Sequence, residues 1–275
     1  MGRRTIRARA ILFALTAGCA APTAAQLRPL EPAQWEVFEG GTTVAVTAGV
    51  GVHWDQRAAL AGTTGRLVEL GNFQATWRSG RIAVEGAGTA YRFFRDESRF
   101  APAFGGARDE NGPDRHDVGD YRLATTVLLT PAQRPAAAVL RFGVRIPTTT
   151  NDVGIDRDQT DFFALVGGRL IASRLRLSGE TGVGVYGTRY SNFEQSDVLV
   201  YSLAAELPLG AVTPGIALMG QKDGTSAILR GNEDLSELRL GVRVGTRYWL
   251  KAQLVKGLET FSPRAGLLLA AGFAR

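Results

Sequence analysis

The residues of this sequence best suited to chemistry are arginines that recur at regular spacings within short segments. Arg141 and Arg145 lie four apart in AVLRFGVRIPTTT, residues 138–150, and Arg239 and Arg243 repeat that spacing later in the chain. An arginine guanidinium can bind a carboxylate through two parallel hydrogen bonds. In an extended strand, residues two or four apart share one face. The spacing therefore predicts rows of anion-binding groups on single strand faces.

The strand that would carry Arg141 has one apolar and one polar face. Leu140, Phe142 and Ile146 alternate with Arg141 and Arg145, and a period of two is typical of a β-strand. In a soluble sandwich the arginines would face bulk water, whereas in an outer-membrane barrel they would line a wet interior and the apolar face would meet lipid. An arginine facing lipid at the bilayer midplane costs about 2–4 kcal/mol. In a barrel the arginines must therefore point inward.

The same alternation recurs along the chain and predicts about twelve strands. Long polar connections are expected at 55–65, 95–117, 147–160, 188–197 and 221–236, and short ones at 79–80, 131–136, 172–173 and 208–210. A further turn is expected near Tyr248–Leu250, and the last long-side connection, ETFSP, is short. Long loops on one side and short turns on the other are typical of outer-membrane barrels.

These patterns predict an all-β fold, an antiparallel up-and-down transmembrane β-barrel of about twelve strands. Both ends of the mature chain are expected on the short-turn, periplasmic side. A soluble periplasmic sandwich or a lipocalin-like barrel is the alternative, since an immunoglobulin-like sandwich also contains many short alternating strands.

The N-terminal stretch predicts a secretory signal peptide at residues 1–25, followed by one barrel domain at 26–275. A basic start, MGRRTIRARA, precedes an apolar run and small residues before a cut after Ala25, as secretory signals require. The stretch contains four arginines and no acidic residue, so the mature chain carries about +2 rather than the formal +6. That balance gives no general case for nucleic acid. Cys19, the only cysteine, lies inside the signal, and its lipidation is the alternative interpretation.

The polar strand faces supply the candidate pore-lining and solute-binding residues. They are Asp120, Arg122, Arg141, Arg145, Arg174, Arg176, Glu180, Glu237, Arg239, Arg243 and Arg247. Two interpretations stay open. The arginines could form a basic constriction that prefers anionic solutes, or Asp120, Glu180, Glu206 and Glu237 could neutralise them in a packed lumen, since a small barrel can be filled by its own side chains.

An enzyme, a metal site and a cofactor are not predicted. His53 and His116 are the only imidazoles, and no serine partner follows from the spacing of either. The acidic loop NDVGIDRDQTD, with Asp152, Asp156, Asp158 and Asp161, and the loop ARDENGPDRHD both lack the calcium-binding pattern of an EF-hand. Both loops are predicted to be charged and solvated.

The stretch from Val118 to Gly187 resembles a family of outer-membrane porins named after the meta-cleavage pathway of phenol degradation. The resemblance rests on Val118-Gly119-Asp120, on Arg145-Ile146-Pro147-Thr148 and on Asp161-Phe162. Two departures are Thr149, where a glycine is common, and the ending GFAR, in which Phe273 is two residues short of the terminus. The resemblance implies a barrel that transports aromatic compounds.

Together these observations predict an outer-membrane pore for passive passage of small solutes, including anionic or aromatic compounds. Its expected partners are the lipid bilayer, the solutes and the barrel-assembly machinery. The alternative function is a structural or adhesive barrel with a plugged lumen and no transport.

Overall fold

The computed structural model describes residues 27–39, 41–58, 61–99, 113–131, 133–148, 155, 159–187, 196–223 and 234–275. The predicted signal peptide, Cys19, Thr149, Asp152, Asp156 and Asp158 lie outside these ranges. A short 3-10 helix, Trp35–Phe38, precedes the strands. The strands are β1 Val44–Ala58, β2 Thr63–Ser79, β3 Ile82–Arg99, β4 Asp114–Asp117, β5 Tyr121–Leu128, β6 Ala136–Ile146, β7 Asp161–Ala172, β8 Leu175–Tyr186, β9 Ser196–Glu206, β10 Val212–Asp223, β11 Leu235–Gly245, β12 Tyr248–Gly257 and β13 Ala265–Ala274.

The strands form one closed antiparallel barrel with twelve positions around its circumference. Each strand from β5 to β13 pairs with the next along the chain, β13 pairs with β1, and β1 to β3 follow in order. Strands β4 and β5 share one position, because β3 pairs with β5 through residues 82–88 and with β4 through residues 92–95. The prediction of a twelve-stranded up-and-down barrel is confirmed.

The barrel carries its apolar side chains on the outside. On β6, Leu140 and Phe142 are 37% and 45% exposed, whereas the intervening Arg141 is 0% exposed and lies inside. Alternation of this kind continues around the barrel and gives an apolar outer belt, which is physically suited to lipid. No helical segment of the described residues is long and apolar enough to cross a membrane.

The long and short connections alternate as predicted, with two corrections on the long-loop side. The predicted loop 55–65 shrinks to residues 59–62, because β1 extends to Ala58 and β2 begins at Thr63. The predicted loop 95–117 contains the end of β3 and all of β4. The sequence predicted loops here because charged residues occupy the inward-facing positions of the strands near the rim, where the interior is polar. The turn expected near Tyr248–Leu250 lies at residues 246–247.

The two ends of the described chain lie at different rims, which corrects the expectation that both are periplasmic. Arg275 hydrogen-bonds Val44 at the short-turn rim, as predicted. Leu27 instead packs with Ala58 and Phe94 at the long-loop rim. Residues 27–39, hereafter the lumen segment, therefore run through the barrel interior before the chain enters β1.

A charge placed on the outer belt should destabilise the barrel. Leu240 lies halfway along β11, is 51% exposed and pairs with Ile216 and Leu254, two other outward-facing residues. Leu240→Arg should lower the free energy of unfolding in lipid by about 2–4 kcal/mol, measured by denaturant titration. Leu240→Met is the control and should cost less than about 1.5 kcal/mol. Equal stability of the two variants would contradict a lipid-facing position.

Candidate functional site

The lumen segment is held by apolar contacts at both of its ends. At the long-loop rim Leu27 lies in a buried cluster with Ala58, Leu67, Phe94 and Ile155. At the short-turn rim Trp35, Val37 and Phe38 pack against Ala45, Ala83, Leu128, Ala137 and Val139. The segment therefore spans the lumen with one apolar anchor near each mouth.

Near the long-loop rim, Arg28 of the segment bridges β2 and β11, which lie four positions apart around the barrel. Its guanidinium lies 3.1 Å from Glu69 on β2 and 2.9 Å from Glu237 on β11. It also contacts the ring of His53 on β1. Glu69 accepts a second ion pair from Arg92 at 3.1 Å. All the acids here are buried, so each charge depends on its partner for stability.

Midway along the lumen, Arg141 is the centre of a second network. It lies 2.7 Å from Glu85 on β3 and 3.0 Å from Glu180 on β8, and it donates a hydrogen bond to the backbone carbonyl of Glu31 at 3.0 Å. Glu180 in turn accepts a hydrogen bond from the backbone N–H of Ala33. Arg141 therefore joins two walls of the barrel to the lumen segment.

The inward-facing Gly143 makes room for a further contact of Arg141. The Arg141 guanidinium lies 5.6 Å from the centre of the Phe163 ring, within the range of a cation–π interaction. A Cβ at Gly143 would come within 2.6 Å of that ring and 2.4 Å of the Leu123 carbonyl oxygen. A larger residue at this position would displace the ring.

Glutamates of the lumen segment neutralise the remaining arginine rows. Glu31 lies 2.7 Å from Arg239 and Glu36 lies 2.7 Å from Arg243, so two acids of the segment match two arginines of β11. Both arginines therefore have a carboxylate of the segment at ion-pair distance.

Glu39, at the short-turn end of the lumen segment, also forms ion pairs with arginines of the wall. It lies 2.9 Å from Arg169 on β7 and 3.1 Å from Arg176 on β8. Arg169 also stacks on Trp35, with its guanidinium 5.6 Å from the ring centre. The short-turn end of the segment is thus tied to β7 and β8 by charge and by an aromatic contact.

A cavity of about 330 Å³ remains beside the lumen segment. Along β9, β10, β12 and β13 its wall is formed largely by small or uncharged side chains, among them Ala204, Thr213, Ala217, Gln253 and Ala270. The bonds of the segment described above go instead to β1, β2, β6, β7, β8 and β11. The cavity also touches the strands to which the segment is bonded, for example at Thr47 of β1, Gln74 of β2 and Arg176 of β8, so open space lies on several sides of the segment.

The structure separates the predicted pore-lining residues into three groups. The cavity is lined by Asp120, Arg122, Arg145, Arg176, Arg239 and Arg243. Arg141, Glu180 and Glu237 are inside but buried in ion pairs away from it. Arg174 and Arg247 are exposed in the turns 173–174 and 246–247, so the prediction that they point into the lumen is corrected. Strand β8 begins one residue after Arg174 and β11 ends at Gly245, which leaves both arginines in turns.

Several lumen residues were missed by sequence reasoning. Glu85 lies between the outward-facing Val84 and Gly86, so the period of two along β3 could have placed it inside. Arg169 was missed because β7 is apolar on both faces and gives no polar pattern. The acids of the lumen segment precede the first strand, so the alternation of strand residues could not place them. The sequence feature that could have indicated their role is the cluster of Glu31, Glu36 and Glu39 in a chain whose strands carry many inward arginines.

The two histidines lie in different surroundings. His53 is buried and lies 3.3 Å from Glu69. His116 is exposed on β4 and stacks on Tyr91, with 6.0 Å between the ring centres. Within the described residues, no three side chains of histidine, cysteine, aspartate or glutamate converge as a metal site would require.

Removing the shared acid of the Arg141 network should destabilise the barrel. Glu85 accepts from Arg122, Arg141 and Gln74, so Glu85→Gln should cost about 3–5 kcal/mol, because it leaves a buried guanidinium short of a partner. Denaturant titration of the detergent-folded protein measures this. Glu97→Gln on the same strand breaks an exposed pair with Arg66 and should cost about 0–1 kcal/mol. A similar cost for both variants would contradict the network.

Comparisons with known proteins identify the fold. No family model matches the chain, and no curated protein matches its sequence. Among solved structures, the chain is similar to the COG4313 outer membrane channel from Pseudomonas putida F1, with 14% identity over 90% of this chain and 100% of that chain and a TM-score of 0.60. CymD, a monoaromatic hydrocarbon channel, is matched at 9% identity over 87% of this chain and 90% of that one, with a TM-score of 0.45. The first likeness shows that this chain has the fold of an outer-membrane β-barrel, and the resemblance to the phenol-pathway family stays a prediction.

Proposed function

We propose that the protein is a passive pore of the outer membrane for small solutes, with a mild preference for anions and aromatic acids. In this proposal it works in the lipid bilayer without a cofactor and without nucleic acid, and it is inserted by the barrel-assembly machinery. No chemical step is assigned to it.

The main support for this proposal is the cavity beside the lumen segment. A barrel interior that served only as packing would be filled with side chains, yet about 330 Å³ remains here. Alanine, glycine and threonine form much of the wall along β9 and β10, and short side chains keep such a space open. The similar COG4313 protein is an outer membrane channel, which agrees with this proposal.

The preference for anions rests on the arginines that line the cavity. Arg122, Arg176, Arg239 and Arg243 contribute to its wall, and guanidinium groups favour anions in a pore. The acids Glu31, Glu36 and Glu39 neutralise most of that charge at distances of 2.7–3.1 Å. The expected selectivity is therefore modest. The aromatic part of the proposal rests on the family resemblance.

A structural or adhesive barrel is the second candidate, and the lumen segment is the observation that favours it. The segment crosses the interior and is bonded to several walls, which a plug would also require. The two functions differ in one measurable property, since a plugged barrel passes no ions.

Purified protein in a planar lipid bilayer should give stepwise channel openings. Under a salt gradient the reversal potential should indicate a small preference for anions, because arginines line the cavity and acids offset most of their charge. Absence of openings from correctly folded protein would refute the pore and favour the structural barrel.

Two arginine substitutions test the source of the anion preference. Arg243→Gln removes a cavity-lining charge and leaves Glu36 without its ion pair, so the reversal potential should shift toward cations. Arg247→Gln is the matched control, because Arg247 stacks on Tyr248 in an exposed turn, 5.7 Å from the ring centre, and it should leave the potential unchanged. A shift for Arg247→Gln alone would contradict the placement of both residues.

A further inference from the structure

Lys251 is the one lysine of the chain that faces the barrel interior. The sequence contains three lysines, at positions 222, 251 and 256. Lys251 lines the cavity from β12, whereas Lys222 and Lys256 are exposed on the outer side. Trp249 and Gln253, two residues away on either side, line the cavity too. The inner face of β12 therefore presents an indole, an ammonium and an amide in succession.

The neighbouring cations make the position of Lys251 electrostatically unusual. Lys251 pairs directly with Arg243 in the register between β11 and β12, and like charges placed opposite each other on one face are destabilising. Arg243 is neutralised by Glu36, and Arg239, further along β11, by Glu31. Within the described part of the chain, Lys251 makes no ion pair and no hydrogen bond. The lumen segment thus places Glu36 and Glu31 in ion pairs with the two arginines, and the charges of these glutamates reach Lys251 only from a longer distance, without an ion pair.

Glu206 is the acid whose charge acts most strongly on Lys251, and the two side chains line the same cavity without forming an ion pair. Glu206 lies on β9 and pairs with Gly215 of β10, which pairs with Gly241 of β11, which pairs with Gln253 of β12. Three strand spacings separate β9 from β12, about 14 Å along the wall.

We propose that Lys251 is the binding site for the carboxylate of a small organic acid as it passes through the cavity. The carboxylate forms an ion pair with Lys251, as Glu36 does with Arg243. The side-chain amide of Gln253 donates a hydrogen bond to the same carboxylate. The Trp249 ring covers the apolar part of the solute. This inference rests on the proposed pore and specifies where an anionic solute pauses within it.

Chemical protection of Lys251 tests the site without relying on ion flow. The full-length protein in detergent is treated with a small amine-reactive ester, and acylation of each lysine is followed by mass spectrometry. Propionate is the probe and propionamide its neutral control, at equal ionic strength set with chloride. A bound carboxylate covers the amine and favours its protonated, unreactive form. Propionate should slow acylation of Lys251 about two- to fivefold, the range for a water-accessible ion pair, and leave Lys256 unaffected.

The outcomes distinguish the Lys251 site from the pore. Equal rates at Lys251 with propionate and with propionamide would overturn the site, and so would a Lys251 that stays unreactive while Lys256 reacts. Protection of Lys251 in a protein that gives no channel openings would support the site and refute the pore. In a conducting protein, Lys251→Gln should weaken partial block of the current by propionate, Lys251→Arg should keep it, and Lys256→Gln should leave it unchanged.

Discussion

The structure depends on the pairing of Arg141 inside a barrel whose outside faces lipid. Strand β6 must turn Leu140 and Phe142 outward, which forces Arg141 into the interior, where it is 0% exposed. A buried guanidinium is tolerated only when acids and acceptors surround it. Glu85, Glu180 and the backbone of Glu31 meet that need. Since these groups come from β3, β8 and the lumen segment, one arginine sets the position of three separate parts of the chain.

The same constraint explains why the lumen segment is acidic. Four inward arginines of β7, β8 and β11 form ion pairs with acids of the segment: Arg169, Arg176, Arg239 and Arg243. The segment delivers Glu31, Glu36 and Glu39 to three of these strands, and its Arg28 returns a cation to Glu69 and Glu237. It thereby balances the charge of the interior while a cavity remains beside it.

The fold could be predicted from the sequence because lipid imposes a strict period of two on the outer face. The segment around Arg141 already contains that pattern, and alternating loop lengths supplied the topology. The strand ends at the long-loop rim were harder to predict, because inward-facing charged residues of β3 and β4, such as Arg92 and Arg115, give these segments the composition of a loop. Arg247 was placed wrongly because its spacing continues that of Arg239 and Arg243 past the end of β11. The lumen segment could not be predicted, because its position depends on charges contributed by distant strands.

If solutes pass through the cavity beside the lumen segment, a thiol reagent attached to the cavity wall should block the current. Ala217 lines the cavity from β10, and its neighbour Leu218 lies on the opposite, outer face of the strand. With Cys19 inside the predicted signal peptide, Ala217→Cys and Leu218→Cys each give the mature chain a single thiol. A cationic methanethiosulfonate added to open channels should reduce the current of Ala217→Cys and leave that of Leu218→Cys unchanged. An unchanged current in Ala217→Cys, with labelling confirmed by mass spectrometry, would contradict a path along this wall.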